Sequence, residues 1–328
     1  MGVIRLAIDA MGGDYAPAEI VAGAIQGARE LDVAVSLVGN PEVVRRQLQD
    51  VITSDLSLEV VLAQDVIHMD QDPAQAVRIS PDASINVACR LVLEGRADGV
   101  LTMGHTGAGM IAALFNFGRI PGIDRPAVIV PFLGIRRDLY LIDVGANADV
   151  RPVHLLQFAL MGSAYARYAG GIVHPRVGLL SNGSEANKGN KVGKEAYALL
   201  AGAVGLDFIG NVEPHTLASN DVNVVVSDGF AGNVLLKATE GMVANLLAQF
   251  EYLLPQMPPD SVELVKSHLE KLRARYHYAS YGAATLLGVQ HPMFIGHGRS
   301  KARAVRNGMA TAVRMIAGDV IGNIQKWA

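Results

Sequence analysis

Residues 141–166 read LIDVGANADVRPVHLLQFALMGSAYA. The apolar run ends at Asp143, a loop of glycine and short polar residues follows, and from His154 apolar side chains recur at helical spacing as far as Tyr168. A strand, a glycine-bearing turn and a helix in close succession form the unit from which a mostly parallel sheet flanked by helices is built. The same alternation extends in both directions. Strands are predicted at Ile4–Ile8, Val33–Val38, Gly99–Thr102, Ala127–Pro131, Leu139–Asp143, Arg176–Leu180, Phe208–Asn211 and Val222–Val226. Helices are predicted at Ala18–Leu31, Pro41–Leu48, Ser84–Glu94, Gly107–Phe117, His154–Tyr168, Asn190–Leu200, Gly232–Leu254, Ser261–Tyr276 and Lys301–Ile316. The fold class is α/β.

A chain of 328 residues, half of them apolar and only 18% charged, buries a large core without covalent staples. Cys89 is the only cysteine, which excludes an intrachain disulfide or a Cys-rich zinc site and fits a reducing cytoplasm. A net charge of -3 argues against nucleic acid, whose phosphates call for a basic surface. Apolar stretches such as Ala127–Ile135 fall far short of the ~20 residues of a membrane helix, and Asp9 interrupts the first apolar run, so neither a span nor a signal peptide is expected. No repeat, low-complexity tract or long linker divides residues 1–328, which read as a single domain. The prolines at 255, 258 and 259 mark the tip of a protruding helical arm of approximately residues 232–280. On that arm Leu246, Leu247, Phe250, Leu253 and Leu254 share a face leading to Met257, a stripe that reads by itself as core or dimer interface.

Ligands of open α/β sheets bind outside the carboxyl ends of the strands, so five glycine clusters there are the candidate site. In the first, Gly12 and Gly13 allow close backbone approach between Asp9 and Asp14, unless it is only a strand-to-helix turn. In the second, Gly104, His105, Thr106 and Gly107 open a helix whose N–H groups and dipole favour an anion. Its spacing is neither the Rossmann nor the P-loop pattern, so phosphate is preferred to a nucleotide, with plain helix–strand packing as the alternative. The third cluster, Asp143–Asp149, contains Asn147. The fourth, Ser181–Asn190, carries Lys188 as a point charge for phosphate and Asn190 beside it, although most lysines are simply solvated. The fifth holds Asp228, Gly229 and Asn233, with Lys237 a turn further on, and here Asp228 is equally suited to capping. Near the C-terminus His297 and Ser300 precede a basic helix and suit oxyanion or proton chemistry, or Ser300 is a cap. No metal-ligand spacing occurs, Cys89 reads as core, and no GxSxG elbow announces an acyl-enzyme.

Five segments, DAMGGDYAP at 9–17, the stretch at 141–166, KGN at 188–190, FIGNVE at 208–213 and VSDGFAGNVLLKATEG at 226–241, resemble the phosphate acyltransferases of bacterial phospholipid synthesis over nearly the whole chain. The resemblance implies an isocitrate/isopropylmalate-dehydrogenase-like fold, shared with phosphotransacetylases, that assembles as a homodimer and uses no metal or nucleotide cofactor. It implies transfer of a long-chain acyl group from acyl carrier protein to inorganic phosphate, giving an acyl phosphate for a membrane glycerol-3-phosphate acyltransferase. It also implies peripheral membrane contact through an apolar tip, which falls here on Leu253, Leu254 and Met257. Within that frame Lys188 and the Gly104–Gly109 loop are assigned to phosphate, Asn190 and Asn233 to the carbonyl oxygen, and His297 to proton transfer or the thiolate. Asp9, Gly12, Gly13, Asp14, Asn147, Asp228, Gly229, Lys237 and Ser300 are expected around the substrates. His105 stands where the family usually has asparagine, Ser181–Ser184 replaces a more acidic stretch, and Arg299 interrupts what is usually HGSS. The rival readings are a short-chain phosphotransacylase using a coenzyme A thioester, a decarboxylating dehydrogenase, for which no nucleotide fingerprint is present, and a non-enzymatic scaffold.

Overall fold

The structure is a computed structural model that describes residues 2–133, 138–219 and 222–328. Of the apolar run Ala127–Ile135, the last two residues lie outside them. The strands are β1 Arg5–Asp9, β2 Ala34–Gly39, β3 Leu58–Leu62, β4 Gly99–Thr102, β5 Ala127–Leu133, β6 Asp138–Ile142, β7 Arg176–Leu180, β8 Asp207–Val212, β9 Val224–Val226, β10 Ala283–Leu287 and β11 Met293–Gly296. The helices are α1 Ala18–Leu31, α2 Pro41–Leu48, α3 Pro73–Ile79, α4 Ser84–Leu93, α5 Thr106–Asn116, α6 Pro152–Tyr168, α7 Lys191–Ala201, α8 Gly229–Leu253, α9 Pro259–Tyr276, α10 Ala302–Ala317 and α11 Val320–Gln325. Every predicted strand and helix is present. The sequence reading lacks β3, β10, β11, α3 and α11. β10 and β11 form a hairpin and so escape a search for strand–helix alternation, while α3 and α11 are too short to show a helical period.

All strands join one sheet in the order β3-β2-β1-β4-β11-β10-β5-β6-β9-β7-β8. Within each half the pairings are parallel, as expected. The three antiparallel pairings, β11–β10, β10–β5 and β5–β6, all lie at the centre. Following the pairings outward, β1, β2, β3, β4 and β11 run one way and β6, β7, β8 and β9 run the other. The glycine clusters after β1 and β4 and the His297 loop after β11 therefore leave one edge of the sheet. Those after β6, β7 and β9 leave the opposite edge. The five clusters expected at strand carboxyl ends are therefore divided between two edges. A sheet that reverses direction at its middle separates the clusters.

What brings them back together is the way helices cover the two faces. The side chains of Leu6, Ile8, Leu101, Ile129 and Val224 point to a face packed by α1, α6 and α10. Ala7, Val100 and Val128 face the other way, under α4 and α5. On that same side Val130, Leu141 and Val225 pack against Leu235 and Leu236 of α8. β2, buried at every position, shows that both faces are covered. Between α5 and α8 no helix among the described residues covers the sheet, and a trough remains over β5, β10 and β11.

The far part of α8 continues beyond the sheet and returns as α9, so that α8 and α9 form a helical hairpin. Tyr252 and Leu253 near its tip are exposed. No helix among the described residues is long and apolar enough to cross a membrane.

α8 is seated through glycine. A Cβ at Gly232 would lie 2.0 Å from the Asp143 carbonyl oxygen and 2.4 Å from Ser227 Oγ, whereas one at Gly241 would meet nothing within 4 Å. Gly232→Ala should therefore destabilise the protein by about 2 kcal/mol or more through backbone displacement. Gly241→Ala should stabilise it by up to ~1 kcal/mol through helix propensity. Denaturant midpoints compared at equal slope would check both signs.

Candidate active site

The site is organised by the loop after β6. Asp143 is buried, and its carboxylate accepts hydrogen bonds from the backbone N–H groups of Ala146 at 2.8 Å and Asn147 at 2.9 Å and from Asn147 Nδ2 at 2.9 Å. Burial raises its pKa, and these hydrogen bonds act in the opposite direction. Asn147 Nδ2 also donates to the carbonyl of Pro126 at 2.7 Å. Asn147 thus holds the loop, its amide donors directed into the protein. Its carbonyl accepts from Gly229 N at 2.7 Å, tying the start of α8 to the same loop. Asp228 caps α8 by accepting from Ala231 N at 2.7 Å.

Cavities open on both sides of this helix start. The first, about 450 Å³, is lined by Ser181, Asn182, Lys188, Asn190, Asn211 and Asp228. Its loop is fixed from within: Gly189 N donates to Asn182 Oδ1 at 2.9 Å, and Asn211 Nδ2 donates to the carbonyl of Glu185 at 2.8 Å. Asn190 caps α7, its Oδ1 accepting from Gly193 N at 2.8 Å. The first turn of α7 thereby opens into the cavity with its positive dipole end. Lys188 is half-exposed, with Nζ 4.0 Å from Glu185 Oε1. Ser181 Oγ is buried and has no hydrogen-bond partner among the described residues. A cation and a helix N-terminus converge on space large enough for an oxyanion.

The second cavity is the trough, about 330 Å³. Thr106 enters it from α5, Asn233 and Lys237 from α8, and His297 from the loop after β11, over an apolar floor that includes Val130, Ala284 and Ile295. Lys237 Nζ lies 2.8 Å from Glu240 Oε2, and Tyr281 OH donates to Glu240 Oε1 at 3.3 Å. The His297 imidazole is held below its ordinary pKa, first by desolvation and then by the positive charges of Arg299 and Lys237. It is therefore neutral at pH 7.

The first two glycine clusters take a supporting place. Asp9 is buried, accepts from Thr102 Oγ1 at 2.8 Å, and has its pKa raised chiefly by burial. Thr102 Oγ1 in turn accepts from Gly104 N at 3.0 Å. Asp9, Gly104 and His105 border a hollow of about 10 Å³, room for about one water molecule and too little for orthophosphate. His105 Nδ1 accepts from Ala108 N at 3.4 Å and caps α5. Gly12 and Gly107 are close-packing positions against Asp9 and Pro73, and Gly13 and Asp14 pack on the His297 loop, where Asp14 N donates to the Gly298 carbonyl at 2.8 Å. Ser300 is buried below that loop, its hydroxyl without a partner.

The structure thus groups Lys188, Asn190 and Asp228 on one side of α8 and Thr106, Asn233, Lys237 and His297 on the other. The sequence reading missed Asn211, Glu240 and Tyr281. Asn211 stands inside the FIGNVE segment and was within reach. Glu240 likewise stands inside the segment at 226–241, whereas Tyr281 is brought opposite α8 only by β10, which follows it. Among the described residues no group of three or more His, Cys, Asp or Glu side chains is arranged to hold a metal ion.

A family model described as fatty acid synthesis protein matches residues 4–323. The chain is 43% identical over 326 residues to a phosphate acyltransferase of Nostoc punctiforme, covering 98% of this chain and 96% of that one. It is 45% identical over 326 residues to a phosphate acyltransferase of Heliobacterium modesticaldum, covering 98% and 97%. Among solved structures, a phosphotransacetylase from Streptococcus pyogenes superposes with a TM-score of 0.64 at 17% identity, covering 98% of this chain and 94% of that one. A branched-chain phosphotransacylase from Enterococcus faecalis gives 0.57 at 15% identity, covering 96% and 99%. At such identities the structural likeness establishes the α/β fold.

The neutral His297 ring has a measurable consequence. Its native pKa lies below 6.5, the ordinary value for an imidazole. Protonation therefore favours the unfolded chain, and stability should fall as pH drops from the unfolded pKa through the native one. Above that window the group contributes no pH dependence. An NMR titration should place the His297 midpoint below 6.5, and Arg299→Ala should raise it. A midpoint above 6.5 would mean that the carboxylates of Glu240 and Asp14 dominate instead.

Proposed function

The chain belongs to the phosphate acyltransferase family, and from that premise we propose that it transfers a long-chain acyl group from acyl carrier protein to inorganic phosphate. The product is an acyl phosphate that feeds acylation of glycerol 3-phosphate in phospholipid synthesis. The observation carrying this reading is the convergence of Lys188 and the first turn of α7 on one cavity, next to a trough bearing Asn233 and His297.

In this reading phosphate occupies the Lys188 cavity and the thioester carbonyl lies across the start of α8, in the trough. A phosphate oxygen attacks the carbonyl carbon, and a tetrahedral oxyanion forms. The C–S bond then breaks, its electron pair leaving with sulfur as the new C–O bond is retained. Phosphate is already anionic at neutral pH, so the protein mainly positions it and stabilises the charge that moves to the carbonyl oxygen. The Asn233 amide is the donor for that oxygen, with Asn190 supporting the phosphate side. Such a donor is typically worth about 10²–10³ in rate. Neutral His297 takes a proton from dihydrogen phosphate and, once protonated, delivers it to the departing thiolate.

The same reading makes the protein a homodimer that meets the membrane peripherally. It assigns that contact to the arm tip, where Phe250, Tyr252, Leu253 and Met257 are exposed and Leu254 is half-buried. An apolar tip of this kind would deliver a poorly soluble product to a membrane glycerol-3-phosphate acyltransferase.

Lys188→Ala should raise the KM for phosphate about tenfold to a hundredfold, as expected for loss of a hydrogen bond to a charged group. Initial rates with labelled phosphate would show this, and an unchanged KM would remove Lys188 from the site. Replacing Leu253 and Leu254 together by glutamate should abolish flotation with anionic phospholipid vesicles while transacylation in solution persists. Vesicle binding equal to that of the unsubstituted protein would place the contact elsewhere.

A further inference from the structure

One wall of the trough continues out of it. Leu236, Glu240, Val243 and Leu247 follow one another at helical spacing on a single face of α8. Leu236 and Glu240 line the trough beside Tyr281. Glu240, Val243 and Leu247 line a further cavity of about 430 Å³ between the base of α8 and the end of α9. The walls of this second space sort by burial. Leu247 is buried and Val243 and Tyr276 are half-buried, while Arg273, His277 and Arg299 are exposed at the mouth. The one acidic residue on the path, Glu240, has its carboxylate engaged by Lys237 and Tyr281, which lowers its cost beside an apolar occupant. A space that is apolar within, polar at its mouth, where Arg299 stands beside the Arg273–Glu251 ion pair, and separated from the trough by Glu240, which lines both, suits the distal part of an alkyl chain.

We propose that the donor's acyl chain runs along this face of α8, from the trough past Glu240 into the cavity at the base of the arm, and that Val243 and Leu247 there limit the chain length accepted. The proposal rests on the acyl-transfer reading above and adds to it the path of the chain and the residues that measure it. The trough holds the carbonyl end, and the arm cavity discriminates the distal methylenes. Each buried methylene is worth about 0.8 kcal/mol, so filling the cavity should affect long chains far more than short ones.

Val243→Trp fills the inner part of the cavity, and Ala244→Trp, at an exposed lining position, fills it from the mouth with less risk to folding. The measurement is kcat/KM for octanoyl and palmitoyl thioesters of acyl carrier protein, with labelled phosphate as acceptor. In each folded variant the palmitoyl-to-octanoyl ratio should fall by about tenfold or more relative to the unsubstituted enzyme. The path is wrong if both variants melt at the parent temperature and leave that ratio within about twofold, or lower both rates equally. Should Val243→Trp fail to fold, the Ala244→Trp ratio decides. Failure of the unsubstituted enzyme to form acyl phosphate from either donor would instead overturn the acyl-transfer reading, and the path with it.

Discussion

The buried carboxylate of Asp143 is the constraint on which the site depends. It gathers the N–H groups of Ala146 and Asn147 and the Asn147 amide into one loop. That loop reaches back to β5 through the Pro126 carbonyl and forward to α8 through Gly229 N. Ser227 Oγ, at the end of β9, donates to the Asp143 carbonyl at 3.1 Å. Three strands and a helix are thereby fixed by one residue whose charged form is costly to bury, a cost that its hydrogen bonds offset in part. Because α8 forms a wall of both the Lys188 cavity and the trough, any slackness in this joint would change the separation between an acceptor on one side and a donor on the other. Effective positioning requires that separation to be held within fractions of an ångström.

The other half of the sheet uses the same device. Asp9 closes β1 as Asp143 closes β6, buried and hydrogen-bonded to Thr102, which in turn orients Gly104. An aspartate at a strand end within a glycine cluster looks identical in sequence whether it meets a ligand or builds the turn that does. Burial distinguishes the two. The hollow beside Asp9 and His105 admits about a water molecule, while the cavities beside α8 are an order of magnitude larger.

This is also why the sequence was legible to a definite depth. Strand–glycine–helix units such as residues 141–166 reveal the α/β class, the eight strands that alternate with helices, and the clusters that end them. The β10–β11 hairpin obeys no such alternation; because β10 is antiparallel to both β11 and β5, those two run the same way, and the reversal at the centre of the sheet falls at the β5–β6 pairing. Across that pairing the five clusters split between opposite edges and are reunited only across the uncovered trough. Lys188, Asn233 and His297 could be singled out by residue type and neighbours, but their division between two cavities is a consequence of topology that local spacing does not encode. Tyr281 carries no motif, and although Glu240 lies inside the segment at 226–241, its pairing with Tyr281 exists only because α8 lies beside the start of β10.

Two cavities of contrasting character on either side of one helix start favour direct passage of the acyl group, with no side chain acting as a carrier. The most direct test is the intact mass of the protein after incubation with a palmitoyl thioester, first without phosphate and then with it. Direct transfer predicts an unmodified protein at both stages and palmitoyl phosphate only after phosphate is added. A protein heavier by one palmitoyl group before phosphate is present, and restored to its original mass afterwards, would contradict it.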